Sequence, residues 1–378
     1  LLLTNLTAEY RFNDVLAVTG TLYRRTSDVA TYNGDDSDFE ECEDTPGFIC
    51  AEEDEDEEFA RDASGNVIPA RETIVGGTVN RSRTNQDTLG FVTELTATTP
   101  GRTFTLGLAL DESDIEFAAR TELGSLDETR RAIPGGVFIG DAFTDLDAEV
   151  TNRSIYVASN IDLTQRAALS LSGRYNQTDV TLRDQLGTAL TGDHEFKRFN
   201  PAVGLTMALA GGVGAYASYA ESNRAPSPVE LTCADPDDPC RLPNAFLADP
   251  PLDDVVAKTI EAGIRGTTAG EAMQWQAGVY RTANEDDILF ISAGALTNEG
   301  FFDNVGRTRR EGIELMARGR ASNGFEWFAN YAYLRAQFRE DLTLPSPNNP
   351  LAVDGEITVN AADRLPLLPS HTVKLGGS

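Results

Sequence analysis

The sequence predicts an all-β fold, a transmembrane antiparallel up-and-down β-barrel. Three observations carry that expectation. Amphipathic segments of strand length recur along all 378 residues. Short connections alternate strictly with long polar ones. The polar face of each segment carries Gln, Asn, Ser, Thr, Arg, Glu and Gly, which suits water far better than a packed interior. In an up-and-down barrel every odd connection lies on one side and every even one on the other. Sorting loop length by parity is therefore what a membrane barrel does, with short periplasmic turns and long extracellular loops. A soluble sandwich has no reason to do it.

The short connections are 13–14, 99–101, 162–165, 210–212, 267–271 and 321–324, and the long ones lie near 31–85, 118–147, 185–194, 223–254, 293–299 and 340–369. Between them thirteen strands are expected, at about 2–12, 15–30, 86–98, 103–117, 148–161, 166–184, 195–209, 213–222, 255–266, 272–292, 300–320, 325–339 and 370–378. Segment 71–83 also reads as extended. A full crossing there would break the parity, so it is placed inside the acidic loop as a small hairpin.

Alternation holds residue by residue. Phe104, Leu106, Leu108 and Leu110 share one face and Thr103, Thr105, Gly107 and Ala109 the other. Leu169, Leu171, Gly173 and Tyr175 oppose Ser170, Ser172, Arg174 and Asn176, and Met273, Trp275, Ala277 and Val279 oppose Gln274, Gln276, Gly278 and Tyr280. The apolar faces are assigned to lipid and the polar faces to an aqueous or plugged lumen. Tyr10, Phe12, Trp275, Phe325 and Trp327, close to the short turns, are expected to form an interfacial girdle. An odd number of strands does not close by itself in lipid, where an open edge leaves unpaired N–H and C=O groups. Both ends of the sequence are read as cuts through a larger protein that supplies more strands.

The formal charge of −29 argues against nucleic acid. Much of it lies in the run 52–58 and the acidic residues before it, read as a self-repelling, solvated extracellular loop. A divalent-cation site made of these carboxylates is the alternative reading, since hard cations take oxygen ligands; no regular calcium-loop pattern is present, so no metal ligand is assigned there. The four cysteines form two close pairs, Cys42/Cys50 and Cys233/Cys240, both inside long loops and neither with CxxC spacing. They are disulfide candidates and point to an oxidising compartment. No catalytic residue and no cofactor is assigned. His194 and His371 sit in no HExxH pattern, no GxSxG elbow occurs, and the glycines at 211–214 precede no helix.

Two stretches resemble a known family. YASYAESNRAPSPVEL, residues 216–231, is similar to the tyrosine strand and RAPsxxEL loop start of TonB-dependent outer-membrane receptors. DNVGRTRREGIEL, residues 303–315, is similar to their NxGxxxxxGxEl strand, and the strand start Pro369-Ser-His371 fits their late barrel. The resemblance covers the chain from about 195 onward; the first half matches by pattern alone. The motif positions Tyr219, Arg224, Pro226, Glu230, Asn304, Gly306, Gly312 and Glu314 are read as structural, fixing loop geometry and wall twist rather than touching substrate.

Family membership implies a 22-stranded barrel in the outer membrane of a Gram-negative bacterium, filled by a plug domain. The implied function is uptake of a scarce nutrient such as a ferric siderophore, cobalamin or another large complex, energised through the TonB complex. The implied partners are outer-membrane lipid, TonB through the plug and its TonB box, and a small-molecule or metal-complex substrate. Plug, TonB box and final strands are expected outside residues 1–378. A passive porin is the main rival reading and an adhesive or structural barrel the third.

Overall fold

The computed structural model describes residues 1–37, 39–53, 56–140, 142–234, 240–241, 252–268, 272–292, 299–321, 324–346, 349–353 and 355–378. One antiparallel sheet dominates it. Thirteen of its fourteen strands lie side by side in chain order: β1 (Leu2–Arg11), β2 (Leu16–Asp35), β3 (Gly77–Thr99), β4 (Arg102–Leu126), β5 (Thr144–Asp162), β6 (Ala167–Asp184), β7 (Gly192–Ala208), β8 (Val213–Arg224), β9 (Val255–Thr267), β10 (Met273–Glu285), β11 (Thr308–Arg320), β12 (Glu326–Phe338) and β13 (His371–Gly377); the fourteenth, Ala132–Phe138 in the long connection after β4, pairs with the upper end of β4. Each expected strand is present, and long and short connections alternate as the parity argument requires. Among the described residues β1 and β13 each pair on one side only.

The strands are longer than a bilayer needs. β4 has 25 residues, roughly 80 Å at ~3.3 Å per residue, whereas an apolar belt of about 25 Å is crossed by ~10 tilted residues. The sequence accommodates the excess by exchanging its faces. Along the lower half of β4, Phe104, Leu106, Leu108 and Leu110 are exposed on the face that the barrel reading makes outer. The same parity continues upward as exposed Glu112, Asp114 and Glu116. The opposite face runs from Thr103, Thr105 and Asp111 to partly buried Ile115 and Phe117 and fully buried Leu123. β5 and β6 do the same, with Leu146, Ala148, Val180 and Leu182 all buried on the inner side near their loop ends. The upper half is thus a water-facing sheet with an apolar inner surface, and the lower half the reverse.

Three details correct the sequence reading. Segment 71–83 is no separate hairpin: Glu72–Ile74 forms one 3-10 turn, and β3 already begins at Gly77, paired to β2 through Thr78↔Asp35 and to β4 through Gly77↔Gly124. The parity is preserved because this stretch lengthens an existing crossing. Segments 272–292 and 300–320 are each two strands. Left-handed backbone at Asp286 (φ 54°) and Gly306 (φ 70°) takes the chain off the wall, and Ile288–Ser292 pairs with Glu299–Asn304 in a separate small sheet. Finally, the acidic loop is folded rather than merely solvated. Strands Phe39–Glu41, Ile49–Glu53 and Asp56–Phe59 form a sheet, and Ile49, Ile68 and Ile74 pack against Leu123 and Ile139. Glu58 is exposed; the other side chains of the run 52–58 lie outside the described ones.

Candidate functional site

The long-loop end and the inner face of the wall form the candidate site. Three apolar clusters fix the loops onto the sheet. One joins Ile49, Ile68 and Ile74 of the first long loop to Leu123 on β4. The second seats Leu231, Cys233, Ala234 and Leu252 on Val180 and Leu182 of β6. The third packs Ile291 and Phe301 against Ala336 and Phe338 of β12 and Leu365. Each fully buried leucine contributes about 1.5–3 kcal/mol, so the loops are held as a preformed surface.

The expected loop 223–254 starts with a capping box. Ser227 caps the short helix Pro228–Leu231, and the Glu230 carboxylate accepts from the Ser227 N–H (2.8 Å), the Ser227 hydroxyl (2.8 Å) and Arg224 Nη1 (2.6 Å). Burial pushes the Glu230 carboxyl upward, but Arg224 and both Ser227 donors outweigh it and hold it below the ordinary glutamate range. Pro226 is buried beside this turn. Arg224 and Glu230 are therefore engaged with each other.

The second motif shapes the departure of the 288–304 hairpin. Asn304 accepts from the Asp253 N–H at 2.8 Å and donates to the Asp286 carbonyl at 2.8 Å, tying two loops together. Burial, then Asp253, Glu285, Asp254 and Glu340, push the Asp286 carboxyl above its usual range. Gly312 lies under the Tyr280 ring, with Glu314 on the same strand two residues on. Tyr219 donates to Glu221 at 2.7 Å. All eight motif positions thus lie on β8, β11 or the loop bases beside them.

Cys42 and Cys50 form a disulfide with Cα atoms 5.1 Å apart. Cys233 is also disulfide-bonded; the side chain of Cys240 lies outside the described residues. His371 faces Tyr331, Nδ1 2.9 Å from the hydroxyl, at the start of β13. Among the described residues no group of three or more His, Cys, Asp or Glu side chains could hold a metal ion.

The inner face below the clusters is a polar wall. Tyr156 reaches Glu94 at 2.6 Å, Tyr216 reaches Glu261 at 2.7 Å, and Tyr23 reaches Asp111. Arg174 stacks on Tyr156 at 5.3 Å and donates to Asn176 and Ser154, both at 2.7 Å. Arg318 donates to Gln274 at 2.7 Å and 2.9 Å. The partners of both arginines in these bonds are neutral, so their charge stays available to an anion. The tyrosine rows escaped the sequence reading, although Gly90, Gly107 and Gly263 on polar faces were the signal: a glycine in a strand marks a close approach. The exchange of faces at Leu110–Glu112 was equally legible and went unread. Of the expected girdle, Tyr10, Phe12 and Phe325 are exposed.

A model of the TonB-dependent receptor-like β-barrel family matches residues 2–378. The probable TonB-dependent siderophore receptor PiuA of Acinetobacter baumannii is 24% identical over 201 residues, which is 52% of this chain and 25% of that protein. Among solved structures, BauA, the ferric preacinetobactin receptor from Acinetobacter baumannii, superposes with TM-score 0.59 at 14% identity over 99% of this chain and 48% of that one. Fiu, the ferric-catecholate import receptor from K12 E. coli, superposes with TM-score 0.58 at 15% identity over 99% of this chain and 50% of that one. The chain spans a quarter of the curated relative and no more than half of these two structures; at such identities the superpositions show the fold.

Proposed function

Because this chain belongs to the TonB-dependent receptor β-barrel family, we propose that it forms part of the wall and outer face of an outer-membrane receptor taking up a ferric siderophore by energy-coupled transport. The observation that carries this reading is the placement of three packed loop modules at one end of the sheet, above a polar inner wall. A passive pore needs a water-lined wall but no rigid external platform. A receptor needs both: a preformed surface loses less ordering entropy when it captures a ligand.

The naming of PiuA, BauA and Fiu for siderophores and ferric complexes supports that cargo class for this chain. Arg174, on the inner face and bonded to neutral side chains, is the candidate contact in the lumen for an anionic complex that has passed the loops. The acidic loop around Glu58 repels it, so capture is expected over the 225–254 and 339–370 loops. Energy would enter through TonB acting on a plug domain encoded outside residues 1–378.

The test is iron uptake by a strain lacking the gene. With iron chelated, a panel of radiolabelled ferric siderophores should include at least one whose accumulation falls at least tenfold on deletion and recovers with the full-length gene, and that accumulation should vanish when TonB is deleted. Unchanged uptake of the whole panel would overturn the reading.

A further inference from the structure

The outer wall carries a groove on the face opposite the polar inner wall. It lies where β9 to β12 cross the upper edge of the apolar belt, and its volume is about 450 Å³, within the range of ~300–1,000 Å³ usual for small-molecule sites. Two adjacent rows of the sheet build it. The lower row is apolar: Ala262, Val279, Ile313 and Tyr333 face one another across four strands. In the row directly above, Ile260, Arg281, Glu311 and Arg335 are register partners. Val279 and Ile313 are 52% and 43% exposed, and these strands offer nothing to cover them.

The charge of this rim differs from that of the same boundary on β4 to β7. On β4 the same boundary carries Glu112, Asp114 and Glu116, and on β5 to β7 the basic groups are matched one to one, Arg153 with Asp179 and Lys197 with Glu195. Here one carboxylate serves two guanidinium groups: Glu311 lies 3.0 Å from Arg281 Nε and 3.5 Å from Arg309 Nε. Arg309 Nε is buried and makes no hydrogen bond among the described residues. Arg335, the register partner of Glu311, is exposed and has no ion pair among the described residues. In a chain of charge −29 this is a local cationic excess, set directly on top of an open apolar trough.

We propose that this groove binds one phosphorylated lipid of the outer leaflet, with an acyl chain along Val279 and Ile313 and the phosphate between Arg281 and Arg335. The arrangement matches both halves of such a molecule at the depth where they change over. Guanidinium forks recognise phosphate oxygens bidentately, and the aliphatic stems of Arg281 and Arg335 continue the apolar surface toward the headgroup. Glu311 holds the Arg281 guanidinium in place while the groove is empty and competes with the phosphate for it.

Native mass spectrometry of the full-length receptor, released from nanodiscs of phosphatidylcholine containing one-tenth phosphatidic acid, tests this. The wild-type protein should retain one phosphatidic acid in preference to phosphatidylcholine. Arg281→Gln with Arg335→Gln should weaken retention at least tenfold, Glu311→Gln should strengthen it severalfold, and Arg174→Gln on the inner face should leave it unchanged. Equal retention by the double variant, equal retention of phosphatidylcholine, or displacement of the lipid by millimolar inorganic phosphate would each overturn the proposal. Heat-modifiable migration of every variant checks folding, and the gain expected from Glu311→Gln is a result that a misfolded protein cannot imitate.

Discussion

Tyr156 on β5 donates its hydroxyl hydrogen to Glu94 on β3 at 2.6 Å, spanning the whole width of β4. It can do so because its register partner on β4 is Gly107, whose own partner on the far side is Glu94. A side chain at Gly107 would occupy the space of the Tyr156 ring. The same row recurs as Tyr23, Gly90 and Asp111 on β2 to β4. Each row binds three strands with one side chain.

Gly107→Val should therefore cost more than Tyr156→Phe. The valine overpacks the row, at about 1–3 kcal/mol, and expels the ring as well. The phenylalanine keeps the cover and removes one hydrogen bond to a carboxylate, about 1.5–3 kcal/mol at most. Urea unfolding of the full-length protein in lipid vesicles, followed by tryptophan fluorescence, ranks the two. Equal midpoints would show that the glycine is incidental.

The exchange of faces at the top of the belt gives a second test at two positions four residues apart. Leu108 and Glu112 share one face of β4, both exposed. Leu108→Arg should lower the unfolding free energy in bilayers by about 2–4 kcal/mol, whereas Glu112→Arg should change it by about 1 kcal/mol or less. Comparable losses at the two positions would place Glu112 inside the hydrocarbon.

Much of this wall was legible in the sequence because the barrel writes itself twice, in period-two faces and in loop parity. All thirteen crossings follow from those signals. What escaped has a common cause. Above Leu110 the strands leave hydrocarbon for water, and the period continues while its meaning reverses, so Ile115 and Phe117 count as inner apolar residues that no bilayer template expects. The breaks at Asp286 and Gly306 escaped because positive φ at a non-glycine residue leaves little sequence trace, and Gly306 had already been absorbed into a strand motif. The core of the first loop was hidden by its own acidity: Ile49, Ile68 and Ile74 each lie in an apolar stretch only two to four residues long, too short to show a period, in a segment rich in carboxylates.

The Cys42–Cys50 bridge closes a loop of sequence separation 8, which in a chain-entropy account is worth about 2–3 kcal/mol. It acts on the loop module and leaves the wall alone. Cys42→Ser with Cys50→Ser should accelerate tryptic cleavage at exposed Arg71 several-fold in intact cells, with the urea midpoint of the barrel unchanged. Unaltered cleavage would mean that the Ile49, Ile68 and Ile74 core holds the module unaided.

Glu230 supplies the pH dependence. Its folded-state pKa lies below the ordinary glutamate value: burial opposes ionisation, but Arg224 and the Ser227 donors more than offset it. A depressed carboxylate stabilises the fold when ionised. The contribution is complete above the unfolded value, about 4.3, and is lost as pH falls through the lower folded value. The capping box at Ser227–Leu231 should open in that acid window, releasing Leu231 from Val180 and Leu182. Hydrogen exchange of the amides at 230–232, corrected for intrinsic rates, should accelerate on going from pH 6 to pH 3 in the wild type. In Glu230→Gln it should be fast already at pH 6 and change little with acid. Retained protection at pH 3, or an acid response that survives in Glu230→Gln, would show that the apolar seat of Leu231 alone holds the loop.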